Sequence, residues 1–149
     1  MLTPEQLAAS GTEDGIQRAF LQSLIPFTGT YPCLLWFYAV PNGGSRGDAK
    51  QARLNGAIMK AGGVKKGIFD LCLPWPASGF AGLYIEFKRP DGKGGLSIEQ
   101  KAFSSYLAGA CYCQVITDDW REALALTRDY LADCLRGRPI FDSKNYLKK

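Results

Sequence analysis

The sequence contains no histidine among its 149 residues. Zinc sites built on imidazole, histidine general bases and histidine-dependent catalytic triads are therefore excluded. Any catalysis must depend on carboxylates, lysine, tyrosine, serine or cysteine, or on a metal ion held by oxygen ligands.

Two kinds of targeting segment are also missing. No apolar run reaches the roughly 18 residues of a membrane span, and the N-terminus lacks the basic-then-apolar form of a signal peptide. The five cysteines are odd in number and contain no C-x-x-C pair. We therefore expect a cytoplasmic protein with no membrane partner, in which most cysteines are small buried apolar residues.

The charge of the chain is unevenly distributed. Residues 41–101 hold ten Lys or Arg and five Asp or Glu, whereas the remainder holds eight and nine. A basic block in an otherwise neutral chain suggests a polyanionic partner such as nucleic acid, and the alternative is a solvated basic surface.

Length and hydropathy patterning predict a single α/β domain over residues 1–149. Helical spacing of apolar residues predicts four helices, over residues 12–25, 46–61, 97–109 and 119–136. Apolar runs predict four strands, over residues 34–40, 68–73, 82–88 and 112–117. This order favours a small central sheet of about four strands flanked by helices, with a core over residues 12–136. The tail, residues 137–149, shows no clear period.

Acidic side chains interrupt two of the predicted strands. Asp70 and Glu86 lie in strands joined by a short loop, so we expect the strands to be neighbours and the two acids to converge. Convergent carboxylates repel each other and favour a hard cation such as Mg²⁺ between them. The alternative is that each acid pairs with a Lys or Arg at the rim. Lys88 shares the face of Glu86, where it could touch a phosphate, orient a water molecule or form a plain ion pair.

Two helical residues point towards the same region. Glu13 falls in the middle of the apolar arc of the helix over residues 12–25, which favours a core-facing direction, although a first-turn acid also complements the helix dipole. Gln100 lies at the edge of the buried face of its helix and could face a site on the sheet. Capping alone would also justify Gln100, because Ser97 and Gln100 fit the capping box S-x-x-E/Q.

A basic stripe is predicted on the helix over residues 46–61. Its four members fall within about 80° of the helical wheel; they are Arg46, Lys50, Arg53 and Lys60. Lys65 and Lys66 follow the helix. Such a stripe can track DNA phosphates, and a solvated helix face is the alternative.

With these residues assembled, the chain resembles the virus-type replication-repair nuclease (VRR-NUC) family, a branch of the PD-(D/E)xK nuclease superfamily. The motifs that carry the resemblance occur in order: T-E-x-x-I-Q at 12–17, P-N-G-G at 41–44, G-x-x-D at 67–70, I-E-x-K at 85–88 and S-x-x-Q at 97–100. They span most of the chain. One departure is visible, because the family usually has proline before the acid of the G-x-x-D segment and this chain has Phe69.

The resemblance implies a restriction-endonuclease-like core and a site for Mg²⁺ or Mn²⁺. The implied ligands are Glu13, Asp70, Glu86 and the backbone carbonyl of Phe87. Lys88 would position or activate the attacking water, and Gln100 would support Lys88 or the scissile phosphate.

The implied activity is metal-dependent hydrolysis of phosphodiester bonds in DNA. The resemblance further implies a homodimer acting on branched DNA such as four-way (Holliday) junctions, from a bacterium or a phage. A flap, nick or general duplex nuclease is an alternative, and so is a catalytically inactive DNA-binding module.

Overall fold

The structure, a computed structural model, describes residues 1–41 and 49–149. A mixed five-stranded sheet forms its centre, in the order β1-β2-β3-β4-β5. The strands are β1 (Tyr38–Ala39), β2 (Leu71–Leu73), β3 (Leu83–Phe87), β4 (Cys113–Thr117) and β5 (Ile140–Asp142). Strands β1, β2 and β3 pair antiparallel, whereas β3, β4 and β5 pair parallel. The predicted α/β class is confirmed, with one strand more than expected.

Five helices accompany the sheet in the described part of the chain. They are α1 (Pro4–Ala8), α2 (Glu13–Leu24), α3 (Ala49–Ala61), α4 (Ile98–Gly109) and α5 (Trp120–Leu131). Hydroxyl or carboxylate N-caps start α2, α4 and α5 where the sequence predicts, at Thr12, Ser97 and Asp119. None of the described helices has the length and apolar character needed to cross a bilayer.

Each face of the sheet carries its own apolar core because side chains alternate along a strand. On one face, Leu83, Ile85 and Phe87 of β3 pack with residues of α2 and α5. The other face forms a smaller cluster under α4, which includes Leu107 and Ile116. Burial of a large apolar side chain stabilises the fold by about 1.5–3 kcal/mol. Glu86 alternates with Ile85 and Phe87 along β3, so its side chain projects on the side of the sheet covered by α4.

The strand expected over residues 34–40 is mostly absent. Pro32–Trp36 form a 3₁₀ helix, and only Tyr38–Ala39 pair with β2. A proline at the start fixes φ in the helical range, and a short apolar run cannot by itself distinguish a strand from a buried turn.

The C-terminal tail supplies the additional strand. Residues 137–149, which the sequence set apart from the core, form β5 against β4 and a closing 3₁₀ helix, Tyr146–Lys148. Tyr146 is fully buried in the cluster under α4. The tail carries no periodic pattern because β5 has three residues and only Tyr146 is buried after it.

Candidate active site

Two acids meet where β2 begins and β3 ends. The antiparallel register pairs Leu71 with Ile85, which confirms that the two strands are neighbours. Asp70 precedes Leu71 and Glu86 follows Ile85, so the two acids lie at the same end of the strand pair. Asp70 Oδ2 accepts a hydrogen bond of 2.7 Å from the backbone N–H of Phe87. Asp70 lies just before β2 rather than inside it, and it is half-buried. The predicted convergence of these two acids therefore occurs at the sheet end.

Glu86, Lys88 and Gln100 form a hydrogen-bonded triangle. Lys88 Nζ lies 2.8 Å from Glu86 Oε1 and 3.1 Å from Gln100 Oε1. Gln100 Nε2 donates to the same oxygen of Glu86. The ion pair that was an alternative interpretation of Lys88 does form, but it occupies one oxygen of the carboxylate only.

The second oxygen of Glu86 is buried and unsatisfied. Glu86 Oε2 has no hydrogen-bond partner among the described residues, and a buried acceptor left in this state costs about 1–3 kcal/mol. The pKa of Glu86 is raised from 4.5 to about 8, chiefly by burial and next by the charge of Asp70, whereas Lys88 acts in the opposite direction. The site therefore destabilises its own ionised carboxylate in the absence of an additional cation.

Glu13 joins the site from α2. Its helix starts at the Thr12 cap, whose hydroxyl accepts the N–H of Gly15 at 3.0 Å. The Glu13 side chain is exposed rather than directed into the core as its wheel position predicted. Even so, desolvation raises its pKa, the charge of Asp70 acts in the same direction, and Lys88 lowers it. Glu13 thus lies within electrostatic reach of the site, on its solvent side.

Gln100 fulfils both roles considered for it. The Ser97 hydroxyl accepts the N–H of Gln100 at 3.1 Å, and Gln100 Oε1 accepts the N–H of Ser97 at 3.0 Å, which completes a capping box. The same Oε1 also accepts from Lys88. The cap therefore fixes the amide in the orientation that receives the lysine.

The conformation of Gly67 explains why the residue three positions before Asp70 is a glycine. Its φ is +80°, and a Cβ at this position would lie 2.5 Å from Cβ of Glu99 and 2.8 Å from the backbone N of Gln100. Only glycine adopts this conformation without cost and also leaves room for α4. The glycine lets the segment that carries Asp70 pass against the first turn of α4. Sequence reasoning gave Gly67 no role beyond its place in the motif.

Phe69 replaces the proline of the family motif with a packing residue. It is fully buried and meets Phe103 of α4 edge to face, with ring centroids 5.6 Å apart. Phe69 therefore packs the segment that carries Asp70 against α4.

One cavity of about 1000 Å³ brings the predicted side chains together. The predicted catalytic residues line it: Glu13, Asp70, Glu86, Lys88 and Gln100. Part of α3 and the segment after it form another wall, with the basic residues Lys60, Lys65 and Lys66. The backbone carbonyl of Phe87 as a ligand stays a prediction.

Two of the other predicted DNA-binding residues lie away from this cavity. Lys50 and Arg53 are exposed on α3 but do not line the cavity. Arg46 and the P-N-G-G residues after Pro41 lie outside the described residues. Of the five predicted DNA-binding residues that the structure describes, three therefore line the site.

The donor set suits a hard cation that keeps much of its water. Across residues 1–41 and 49–149, no three acidic or thiol side chains come close enough to form a ready metal cluster. Mg²⁺ does not require one, because it is commonly bound by one or two carboxylates and retains several waters. Asp70 and Glu86 provide such a pair, and Glu86 Oε2 is an acceptor in need of a partner. The residues present fit Mg²⁺ or Mn²⁺ with these two acids as the inner carboxylates.

Comparison with known proteins gives one structural match. A solved structure of a "VRR_NUC domain protein" aligns with a TM-score of 0.61 and 22% sequence identity, over 82% of this chain and 89% of that chain. This chain has the fold of a VRR_NUC domain. No family model and no curated protein matches the sequence. The resemblance first seen in the motifs is therefore confirmed at the level of the fold, and the roles of individual residues stay predictions.

Proposed function

We propose that this protein is a Mg²⁺- or Mn²⁺-dependent endonuclease that hydrolyses phosphodiester bonds in DNA. One observation carries the proposal: a buried, unpartnered carboxylate oxygen, Glu86 Oε2, lies in the same cavity as Asp70 and Glu13. A buried carboxylate beside a second acid is unfavourable unless cations compensate it, and Lys88 reaches only the other oxygen of Glu86. The fold of a VRR_NUC domain supports a nuclease in general.

The metal would be held by Asp70 and Glu86, with the Phe87 carbonyl and Glu13 completing its surroundings. When bound, it would polarise the scissile phosphate and lower the pKa of a coordinated water.

Lys88 provides the fixed positive charge of the site. Its ammonium group is held by Glu86 and Gln100, and its side chain is only 12% exposed. A donor fixed in this way stabilises the negative charge that gathers on the phosphate oxygens in the transition state, because it needs no reorganisation during the reaction. Gln100 acts through Lys88 and is a positioning residue.

The lysines of the cavity wall supply the contacts to the DNA backbone. Lys60, Lys65 and Lys66 are exposed, so their charges can approach phosphates without a large desolvation cost. Contacts of this kind do not read the sequence, which suits an enzyme that recognises the shape of its substrate.

The proposal also specifies a branched DNA substrate and a homodimeric enzyme. An exposed apolar patch beside edge strand β1 supports a dimer; it comprises Leu35, Trp36, Tyr38 and Trp75, of which Trp36 is 73% exposed. A symmetric four-way junction needs two cuts, and a two-fold dimer would supply two sites. The five free cysteines suit a reducing bacterial or phage-infected cytoplasm.

The test is a cleavage panel of four-way junction, flap, nicked and linear duplex DNA with Mg²⁺, Mn²⁺ or EDTA. We expect preferential cutting of the junction with either metal and none with EDTA. The molar mass in solution tests the dimer, and Trp36→Ser should reduce the mass if the apolar patch forms its interface. Preference for a flap or nick would remove the junction-resolving role.

An inactive DNA-binding module is the second candidate, and the Glu86–Lys88 ion pair of 2.8 Å is the observation in its favour. Such a module would bind DNA and cut none of the four substrates with either metal. Glu86→Ala would then leave the measured behaviour unchanged.

A further inference from the structure

We infer that residues 140–149 form a C-terminal latch that positions the catalytic lysine and its glutamine, with Tyr146 as the positioning residue. The inference rests on the proposed function, because it assigns the latch to that site. The latch acts on the loop over residues 89–96, which joins Lys88 to the start of α4.

The latch is anchored to the sheet at several points. β5 continues the parallel pairing from β4, with Gln114 opposite Ile140. Asp142 then accepts the backbone N–H groups of Tyr146 and Leu147, at 2.8 and 2.9 Å. These contacts close the final 3₁₀ turn and fix the direction in which Tyr146 enters the core.

Tyr146 is the main anchor of the latch. Its side chain is fully buried in the cluster under α4, and its hydroxyl donates to Asp118 Oδ2 at 3.0 Å. Lys144 makes an ion pair with the same carboxylate oxygen. A buried aromatic ring with a satisfied hydroxyl is a rigid attachment, because it loses both apolar burial and a hydrogen bond when it leaves.

The latch touches the loop at three successive places. The N–H of Leu96 donates to the carbonyl oxygen of Tyr146 at 3.2 Å. Lys149 Nζ donates to the carbonyl oxygen of Gly92 at 3.1 Å. At Gly95 the two segments are in close contact, since a Cβ there would lie 2.8 Å from Cβ of Lys149 and 2.9 Å from the Tyr146 carbonyl oxygen. The loop is therefore held against the latch by its backbone.

This contact matters because the loop joins the two halves of the triangle. Lys88 lies just after β3, whereas Gln100 belongs to the first turn of α4, and their side chains meet at 3.1 Å. A hydrogen bond weakens steeply beyond its normal range, so a small shift of α4 relative to β3 would release the lysine. A misplacement of about 1 Å can cost about 100-fold in rate even when the change lies away from the chemistry.

The test compares two glycine variants, Gly95→Ala and Gly109→Ala. The first inserts a methyl group against the latch, whereas Gly109 has no atom within 4 Å of an added Cβ. For Gly95→Ala we expect kcat to fall by about 10- to 100-fold with the Kd for DNA within about twofold. Gly109→Ala should leave both unchanged.

A second pair of variants separates positioning from general stability. Tyr146→Ala removes the anchor, and Tyr130→Phe removes an equally buried hydroxyl that bonds to Trp75 and Ala77 in the other core. We expect Tyr146→Ala to lower kcat and to speed amide hydrogen exchange at Leu96 and Gln100. Tyr146→Phe, which keeps the ring, should restore most of both. Tyr130→Phe should lower the melting temperature without either effect.

Hydrogen exchange also keeps the two hypotheses apart. If exchange at Leu96 and Gln100 is the same in the wild type, Gly95→Ala and Tyr146→Ala, the latch is disproved whatever the activity. If exchange rises in both variants but the wild-type protein cuts no DNA, the proposed nuclease function fails while the mechanical contact stands. If the loss of kcat in Gly95→Ala and Tyr146→Ala is no larger than the unfolded fraction of each variant accounts for, the positioning role is overturned.

Discussion

Two buried carboxylates of this molecule, Glu86 and Asp118, have opposite surroundings. Their residues are 3% and 8% exposed, and each is paired with a lysine. Asp118 Oδ2 accepts the Tyr146 hydroxyl and the Lys144 ammonium group. Its other oxygen, unlike Glu86 Oε2, is not among the buried side-chain atoms that lack a partner in the described part of the chain. Asp118 is therefore compensated by the donors that hold the C-terminal latch in place, as expected for an acid whose role is structural.

Glu86 is compensated only in part. Lys88 and Gln100 both bind its Oε1, which leaves Oε2 buried without a partner among the described residues. The charge of Asp70 adds to the effect of burial and raises the pKa of Glu86. A carboxylate with a structural role does not require a second acid beside it. Burial alone therefore does not distinguish a functional acid here. The distinguishing feature is an unsatisfied oxygen beside a second acid, which is an arrangement that a cation would stabilise.

The largest expected effect comes from Glu86→Gln, which keeps the shape of the side chain and removes its charge. Loss of a metal ligand should remove about 4 kcal/mol or more of transition-state stabilisation, a fall of about 1000-fold in kcat/KM. DNA binding, measured by fluorescence anisotropy, should change by less than about threefold, because the lysines of the cavity wall remain. The matched change Asp118→Asn should not abolish cleavage. Equal losses in the two variants would remove the functional distinction between the acids.

The pH dependence of folding should reveal the partial compensation of Glu86 directly. Its pKa is raised from 4.5 to about 8 in the folded state, so the folded protein binds this proton more tightly than the unfolded chain. The stability of the metal-free protein should therefore fall as pH rises from about 4.5 to 8, with a slope of up to about 1.4 kcal/mol per pH unit from this group.

The measurement is urea unfolding at several pH values in EDTA, for the wild type and Glu86→Gln. The variant should lack the part of the slope that Glu86 contributes, and excess Mg²⁺ should reduce the slope of the wild type. Parallel curves for the two proteins in EDTA would contradict the raised pKa.

The sequence predicts the inner residues of the site because they are charged side chains in strands that are otherwise apolar. An acid in an apolar strand, as at Glu86, requires compensation, and the order of Asp70, Glu86 and Lys88 along two adjoining strands predicts where it lies. The capping motif at Ser97 likewise predicts the start of α4 and the position of Gln100. The α/β class follows from the same alternation of helical and apolar segments.

Other features escape prediction because they depend on contacts distant in sequence. Glu13 is exposed on the cavity wall, since the first turn of a helix need not follow the wheel of its interior. β5 is too short to show a period, and the contact between Gly95 and Lys149 joins segments about 50 residues apart. The run over residues 34–40 predicted a strand, but Pro32 starts a 3₁₀ helix that takes up its first three residues, and only Tyr38–Ala39 form a strand.

The lysines of the cavity wall should affect binding rather than chemistry. The double variant Lys65→Gln and Lys66→Gln should weaken DNA binding by about tenfold and lower the slope of log Kd against log salt by about 1–2. At saturating DNA its kcat should stay close to that of the wild type. The double variant Lys50→Gln and Arg53→Gln is the control, because these side chains lie on α3 away from the cavity. A larger effect from the control pair would place the DNA along α3 instead.

The smallest expected effect belongs to Asp118→Asn. The amide still offers an oxygen to the Tyr146 hydroxyl, so the latch should stay in place and only the ion pair with Lys144 is lost. The Lys144 side chain is 46% exposed, and ion pairs with an exposed partner contribute about 1 kcal/mol or less. Thermal unfolding should therefore show a small drop in melting temperature that fades at high salt, with kcat within about twofold of the wild type. A fall in kcat as large as that of Gly95→Ala would show that the charge of Asp118, and not only its hydrogen bond, maintains the geometry around Lys88.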